Sequence, residues 1–173
     1  MNRRSVEQSE EFILNAISCT TNMLFYDTKA TSLLGDEQRE RIFDTLKTHL
    51  LSTKNEEIQI ESVRVISNLS RHSLLCAKFL ADESFLETLG AVLDHTLRDL
   101  VFYSVGIIIN MSLHGEGAVV AAKILRHEHQ FLSKMIGVLR DANLEDLDLA
   151  RVAAKAIHNL QKVPDAGKYW TEE

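Results

Sequence analysis

Four asparagines stand out for the chemistry their amides can do. Asn22-Met23, Asn68-Leu69, Asn110-Met111 and Asn159-Leu160 recur at spacings of 46, 42 and 49 residues. An asparagine side chain offers both a donor and an acceptor, so a row of them can hold the backbone amides of an extended peptide. The same groups can instead bond to a neighbouring repeat and hold a stack of helices together, and the two roles are compatible. Other reactive groupings are sparse. His127-x-His129 is the nearest thing to a metal pair, but residues two apart on a helix do not face each other. No Cys, Asp or Glu set completes a coordination shell around it. Gly115-Glu116-Gly117 is a lone G-x-G and reads as a turn between helices. Walker A, G-x-G-x-x-G and H-E-x-x-H patterns are all absent. Cys19 and Cys76 have no C-x-x-C partner and sit in apolar helical patterns, so both are expected to be buried thiols and not a disulfide. These residues predict a chain that is not an enzyme and takes neither cofactor nor metal.

The elements that must carry the asparagines follow from what precedes each one. Six residues earlier stand Ala16, Ser62, Ser104 and Ala153, all small. Five earlier stand Ile17, Val63, Val105 and Ala154; two earlier, Thr20, Ile66, Ile108 and Ile157. With the Leu or Met one residue later, these positions follow one face of an α-helix. A second motif lies between the asparagine segments. Ile42-Phe43-x-x-Leu46-x-x-x-Leu50 matches Phe85-Leu86-x-x-Leu89-x-x-x-Leu93 and Phe131-Leu132-x-x-Met135-x-x-x-Leu139. A third, shorter motif precedes it: Leu74 to Leu80 matches Val119 to Leu125, while the first copy retains only Leu33-Leu34. The repeating unit is therefore a short helix, a medium helix and a longer helix ending in Asn. Asn55 and Asn143 are placed to cap two of the long helices. Ser5-x-x-Gln8 has the form of a capping box for the first. Pro164 and Gly167 close the last.

Composition agrees. The chain has 173 residues, 45% hydrophobic and 25% charged, with one proline and seven glycines, which leaves little turn material for many short strands and favours helices. The net charge of −6 opposes nucleic acid and anionic membranes, and no basic run exists beyond Arg3-Arg4. Met1 to Glu11 is too polar for a signal peptide. Val101 to Leu113 is too short to span a bilayer, which needs about 20 residues. The expected setting is intracellular and soluble. The sequons Asn68-Leu69-Ser70 and Asn110-Met111-Ser112 lie inside helical patterns and read as chance matches. The expected organisation is a polar segment over 1–10, a repeat region over 11–163 and a tail over 164–173.

With three helix types recurring in order, and with stretches such as Ser62-Val63-Arg64-Val65-Ile66-Ser67-Asn68-Leu69-Ser70, the sequence resembles an armadillo-repeat protein over about residues 10 to 163. Within that family it is similar to the ciliary armadillo-repeat-containing proteins of axonemes and sperm flagella. The resemblance implies an all-α, right-handed superhelix of about three three-helix repeats behind a leading lone third helix. That lone helix would leave an apolar face open unless a partner or further repeats cover it, so the chain is expected to be a piece or isoform of a longer array, or to be capped by a partner.

The resemblance also implies a concave groove lined by third helices that binds a protein or an extended peptide. From this sequence, the residues expected there are Arg64, Asn68, Tyr103, Gly106, Asn110, Lys155 and Asn159. The acids eleven before each Asn, namely Glu11, Glu57, Asp99 and Asp148, are expected in the first turns of their helices, where they favour the helix dipole; an acidic rim selecting basic partners is the alternative. Import receptors of this family place Trp four residues before the Asn, where this chain has Ser18, Arg64, Gly106 and Lys155. Recognition of basic import signals is therefore not expected, and Arg64 and Lys155 favour an acidic or mixed partner. Phe102 reads as core or, with Tyr103, as an aromatic anchor. Lys168-Tyr169-Trp170 either folds back on the last repeat or docks a partner. The competing reading is a purely structural element of a larger array, with no exchangeable ligand.

Overall fold

Apolar residues at helical spacing, with proline almost absent, give helices throughout. The computed structural model describes residues 3–27, 32–50, 52–113, 117–126, 130–142 and 145–161, and among these all regular structure is helical. The helices are α1 (Arg3–Phe25), α2 (Asp36–Lys47), α3 (Glu56–Leu69), α4 (Ser73–Ala81), α5 (Glu83–Val92), α6 (Arg98–Met111), α7 (Gly117–Arg126), α8 (Phe131–Ala142) and α9 (Leu147–Gln161). They fall into two units, Met1–Leu69 and Ser70–Glu173.

In the first unit α3 packs against α1 and α2. Ile17, Thr21 and Leu24 of α1 are buried, as are Phe43 and Leu46 of α2 and Ile58, Val63, Val65, Ile66 and Leu69 of α3. Each such aliphatic or aromatic side chain contributes about 1.5–3 kcal/mol by leaving water. Asn55 caps α3 as expected: its Oδ1 accepts from the backbone N–H groups of Glu57 and Ile58 at 3.1 and 3.2 Å. Its Nδ2 donates to Glu10 of α1 at 3.0 Å.

The second unit holds two complete triplets, α4-α5-α6 and α7-α8-α9. Leu75, Phe79, Phe85, Leu89, Ile108, Ile124, Phe131, Met135 and Leu160 are all buried. Leu46, Leu89 and Met135, which mark the repeated medium helix, are each at most 7% exposed. The register read from the sequence is thus the register of the core, and the fold is an all-α, armadillo-type stack of helical repeats.

Several local expectations are corrected. The first triplet has no first helix among the described residues: Ser32 to Gly35 are non-helical and Leu33 is 61% exposed. Ser5 does not begin α1, which already runs from Arg3, inside the polar segment. Glu11 is consequently mid-helix, whereas Glu57, Asp99 and Asp148 do stand in first turns. Met23 is 38% exposed and the next residue, Leu24, is fully buried. α1 packs on α3, and its buried face is turned by one residue from the repeat pattern. Cys19 is exposed for the same reason, while Cys76 is buried. Asp146 accepts from a first-turn amide of α9, the Leu149 N–H at 3.0 Å. Asn143, Pro164, Gly167, the Lys168-Tyr169-Trp170 tail, His127, His129, Gly115 and Glu116 lie outside the described residues.

Candidate functional site

The third helices carry the predicted stripe, and the two units hold it separately. On α3, Arg64 is exposed and paired with Glu61 one turn back at 3.1 Å. Asn68, near the end of the same helix, is half-buried. In the second unit α6 packs against α9. There Tyr103 and Gly106 are half-buried and Lys155 is exposed. Phe102, also half-buried, meets Tyr103 edge-on at 5.4 Å between ring centroids and lies under the Arg98 guanidinium at 4.9 Å. Phe102 is thus neither core nor a free anchor; the cation above it is attracted to its ring face.

The asparagines do something the sequence reading left open. Asn110 Nδ2 donates to Ser70 Oγ at 2.9 Å, and Asn159 Nδ2 donates to Ser112 Oγ at 3.1 Å. Each serine stands two residues after the preceding asparagine of the ladder. Asn-Leu-Ser and Asn-Met-Ser are therefore a repeat-to-repeat stitch, in which the serine that closes one repeat receives the amide of the next. The tripeptides set aside as chance sequons carry this function. Asn159 is only 6% exposed, so its amide belongs chiefly to the stack. The series does not extend backward: two residues after Asn22 stands Leu24, whose side chain has no hydroxyl to receive an amide.

The same logic operates at the other helix levels, and the sequence reading missed it. Lys123 Nζ of α7 donates to the Leu80 carbonyl at the end of α4, 2.5 Å away. Lys134 Nζ of α8 donates to the Gly90 carbonyl near the end of α5 at 2.9 Å and to Asp94 at 2.7 Å. The last carbonyls of a helix have no intrahelical partner and carry its negative dipole end, so an ammonium satisfies both needs. The spacing of these lysines from their acceptors, 43 and 44 residues, is the repeat period, which was the signal available.

A polar cleft of about 770 Å³ opens in the second unit between the α5–α6 and α8–α9 connections. Arg98 crosses it, with Nε and Nη2 on the two Asp146 oxygens at 2.7 and 3.0 Å and Nη1 on Asp99 at 2.8 Å. The bidentate hydrogen bond from Arg98, assisted by the Leu149 N–H, holds the Asp146 carboxyl down to about 2, and the same pairing pushes the Arg98 guanidinium further up. Burial pushes the Cys76 thiol up to about 12. Such a thiol is not a nucleophile near neutrality. No cluster of three or more His, Cys, Asp or Glu residues able to hold a metal occurs among the described residues. No helix among them is long and apolar enough to cross a membrane.

Comparison with known proteins agrees with this geometry. The chain is 26% identical over 159 residues to Armadillo repeat-containing protein 2 of Mus musculus, and 25% identical over 159 residues to the Bos taurus protein of that name. Each alignment covers 92% of this chain but only 18% and 17% of the relative, so the chain spans less than a fifth of the length of the curated relatives it matches. No family model matches it, and no solved structure matches it. Helix order, repeat register and these relatives converge: the chain is built of armadillo-type repeats.

Proposed function

We propose that this armadillo-repeat chain is a protein-interaction scaffold that binds a partner protein or extended peptide along its third helices. Armadillo repeats are in general a scaffold fold and not a catalytic one, which supports the non-enzymatic part of the reading. The observation that carries the rest is the division of labour within one stripe. Asn110 and Asn159 are engaged in the stack, while Tyr103, Gly106 and Lys155 on the same helices keep accessible surface. Arg64 and Asn68 offer the equivalent positions on α3. Tyr supplies contact area at low entropic cost, and Lys155 favours an acidic or mixed partner. In the alternative reading, a structural array element, these side chains have no exchangeable ligand.

The setting we propose, on the family resemblance, is an intracellular one in the cilium or flagellum. The test is photo-crosslinking of the full chain from Tyr103 and Lys155 in ciliated and non-ciliated cells. A crosslinked partner whose purified complex is weakened at least tenfold by Tyr103→Ala with Lys155→Glu, at unchanged melting temperature, supports a scaffold. Absence of any crosslink in soluble, folded protein favours the structural element. Equal capture from both cell types removes the ciliary assignment.

A further inference from the structure

The most unusual place in the molecule is where a repeat shows no first helix among the described residues. In the second unit α7 packs on the preceding third helix, α6, and on α8 and α9 of its own triplet. In this unit Ser104 and Ile108 of α6 and Phe131 of α8 are at most 1% exposed. The matching residues of the first unit are Ala16, Thr20 and Ile42. Ala16 is exposed, and Thr20 and Ile42 are half-buried. These three line a groove of about 390 Å³ between α1 and α2, with Ile17 and Leu46 in its floor and Leu34 at its edge. Among the described residues, Tyr26, Asp27 and Ser32 to Gly35, which join α1 to α2, are non-helical.

We propose that this groove is the docking site for a short amphipathic helix supplied by a partner protein, seated as α7 is seated in the second unit, with a carboxylate facing Arg41. Two observations fix the occupant. The first is the pattern the fold already uses at this level: Leu75, Cys76 and Phe79, with Leu80, are buried in the nine-residue α4, and Val120, Ala121 and Ile124 are buried in the ten-residue α7. Anchors at i, i+1 and i+4 share one helix face, and such a face is how a helix fills an apolar groove. The second is charge. Arg41 lines the groove and is exposed, and its guanidinium makes no ion pair among the described residues. The helices of this chain that hold the matching place, α4 and α7, do not suit it, because they contain no acid and their apolar faces are already buried.

The test uses the full chain and labelled peptides read by fluorescence anisotropy. The peptides copy Ser73–Ala81 with Cys76→Ala, carrying either Glu or Lys at positions 74, 77 and 78 in turn. An isolated helix this short is marginal in water, so binding is expected to be weak but saturable. At least one Glu peptide is expected to bind fivefold or more tightly than its Lys counterpart. Arg41→Glu, an exposed change, should invert that preference, and Thr20→Trp, which fills the groove, should abolish binding. Tyr103→Ala should leave it unchanged, which separates this site from the third-helix surface. No saturation at millimolar peptide, a Glu/Lys preference indifferent to Arg41→Glu, or self-association of the chain that Thr20→Trp abolishes would each overturn the proposal.

Discussion

The two units reach stability by different routes. In Ser70–Glu173 the polar links recur at the repeat period: Lys123 on Leu80, Lys134 on Gly90 and Asp94, Asn110 on Ser70, Asn159 on Ser112. Once one triplet stacks on another, every such pair is placed together by the same translation. In Met1–Leu69 Asn55 on Glu10 and Thr21 on Glu61 link α3 and its cap to α1 in the same way, but no first helix precedes α2 among the described residues, and a buried charged knot stands there. Arg39 is sealed against Asp27 at 2.7 Å, with side chains 7% and 1% exposed. The same guanidinium reaches Ser32 at 2.5 Å and Asp36 at 2.8 Å, and Asp27 also accepts from the Leu33 N–H at 3.2 Å. This knot fixes the entry into α2, where the other triplets have a first helix. Periodicity supplies redundancy; the knot supplies none.

The largest expected effect therefore lies in the first unit. Arg39→Ala leaves the Asp27 carboxylate buried and unpaired, and removing one partner of a buried pair costs about 3–5 kcal/mol. Hydrogen exchange should show the loss concentrated in α1 and α2. The double change Arg39→Met with Asp27→Leu should recover much of it, because both charges go together. Equal protection of α1 and α2 in Arg39→Ala would mean that the knot is not what holds the unit. The second test sets matching positions against each other. Phe131→Ala, at a site 1% exposed, should cost about 3–5 kcal/mol by chemical denaturation, the range for fully buried Phe→Ala changes. Ile42→Ala, in the same repeat position but half-buried, should fall below about 2 kcal/mol, the low end for buried Ile→Ala. Equal costs would show the groove beside Ile42 to be closed in solution.

A smaller effect probes the periodic stitches. Asn159→Ala removes one hydrogen bond to the Ser112 hydroxyl, which still donates to the Ile109 carbonyl at 2.8 Å, so about 1 kcal/mol is expected. Ser112→Ala also removes the bond to the Ile109 carbonyl and should cost somewhat more, and the pair together scarcely more than Ser112→Ala alone, since the two residues share one bond. Full additivity in this cycle would dissolve the stitch as an energetic unit.

These contrasts also mark what the sequence could reveal. Helix order, and the burial of Leu46, Leu89 and Met135, were legible because apolar periodicity is imposed by the core and repeats with it. The Asn–Ser stitch was half legible: the asparagines were visible, but the serine is recognised only when its spacing is measured from the previous repeat. Arg39 with Asp27 was invisible, because it occurs once and joins residues that no period relates. Cys19 and Met23 failed for the reverse reason. The pattern said core, but α1 has fewer neighbours than a third helix inside the stack, and a period cannot register a missing neighbour. Of the predicted groove residues, Tyr103, Gly106 and Lys155 keep accessible surface on α6 and α9, and Arg64 does so on α3; their role toward a ligand is what the crosslinking experiment addresses.

The smallest effect belongs to a cross-link between repeats that stands in water. Arg98 and Asp146 are partly exposed, at 44% and 26%, and such pairs contribute little because solvent screens them. Their signature is a pH window. The carboxyl is held below its ordinary value of 3.8, down to about 2. Folding thus favours the ionised form, and whatever the pair contributes is fully present above pH 3.8 and disappears as the pH falls through about 2. Asp146→Asn keeps an acceptor for the Leu149 N–H while removing the charge. Acid-unfolding curves of the two proteins should accordingly differ above pH 3.8 and converge by about pH 2, with the gap shrinking in high salt. A gap that persists below pH 2 would assign the effect of Asp146 to the cap of α9 and not to Arg98. The second unit would then hold its third helices together through the Asn–Ser stitches and the apolar seam alone.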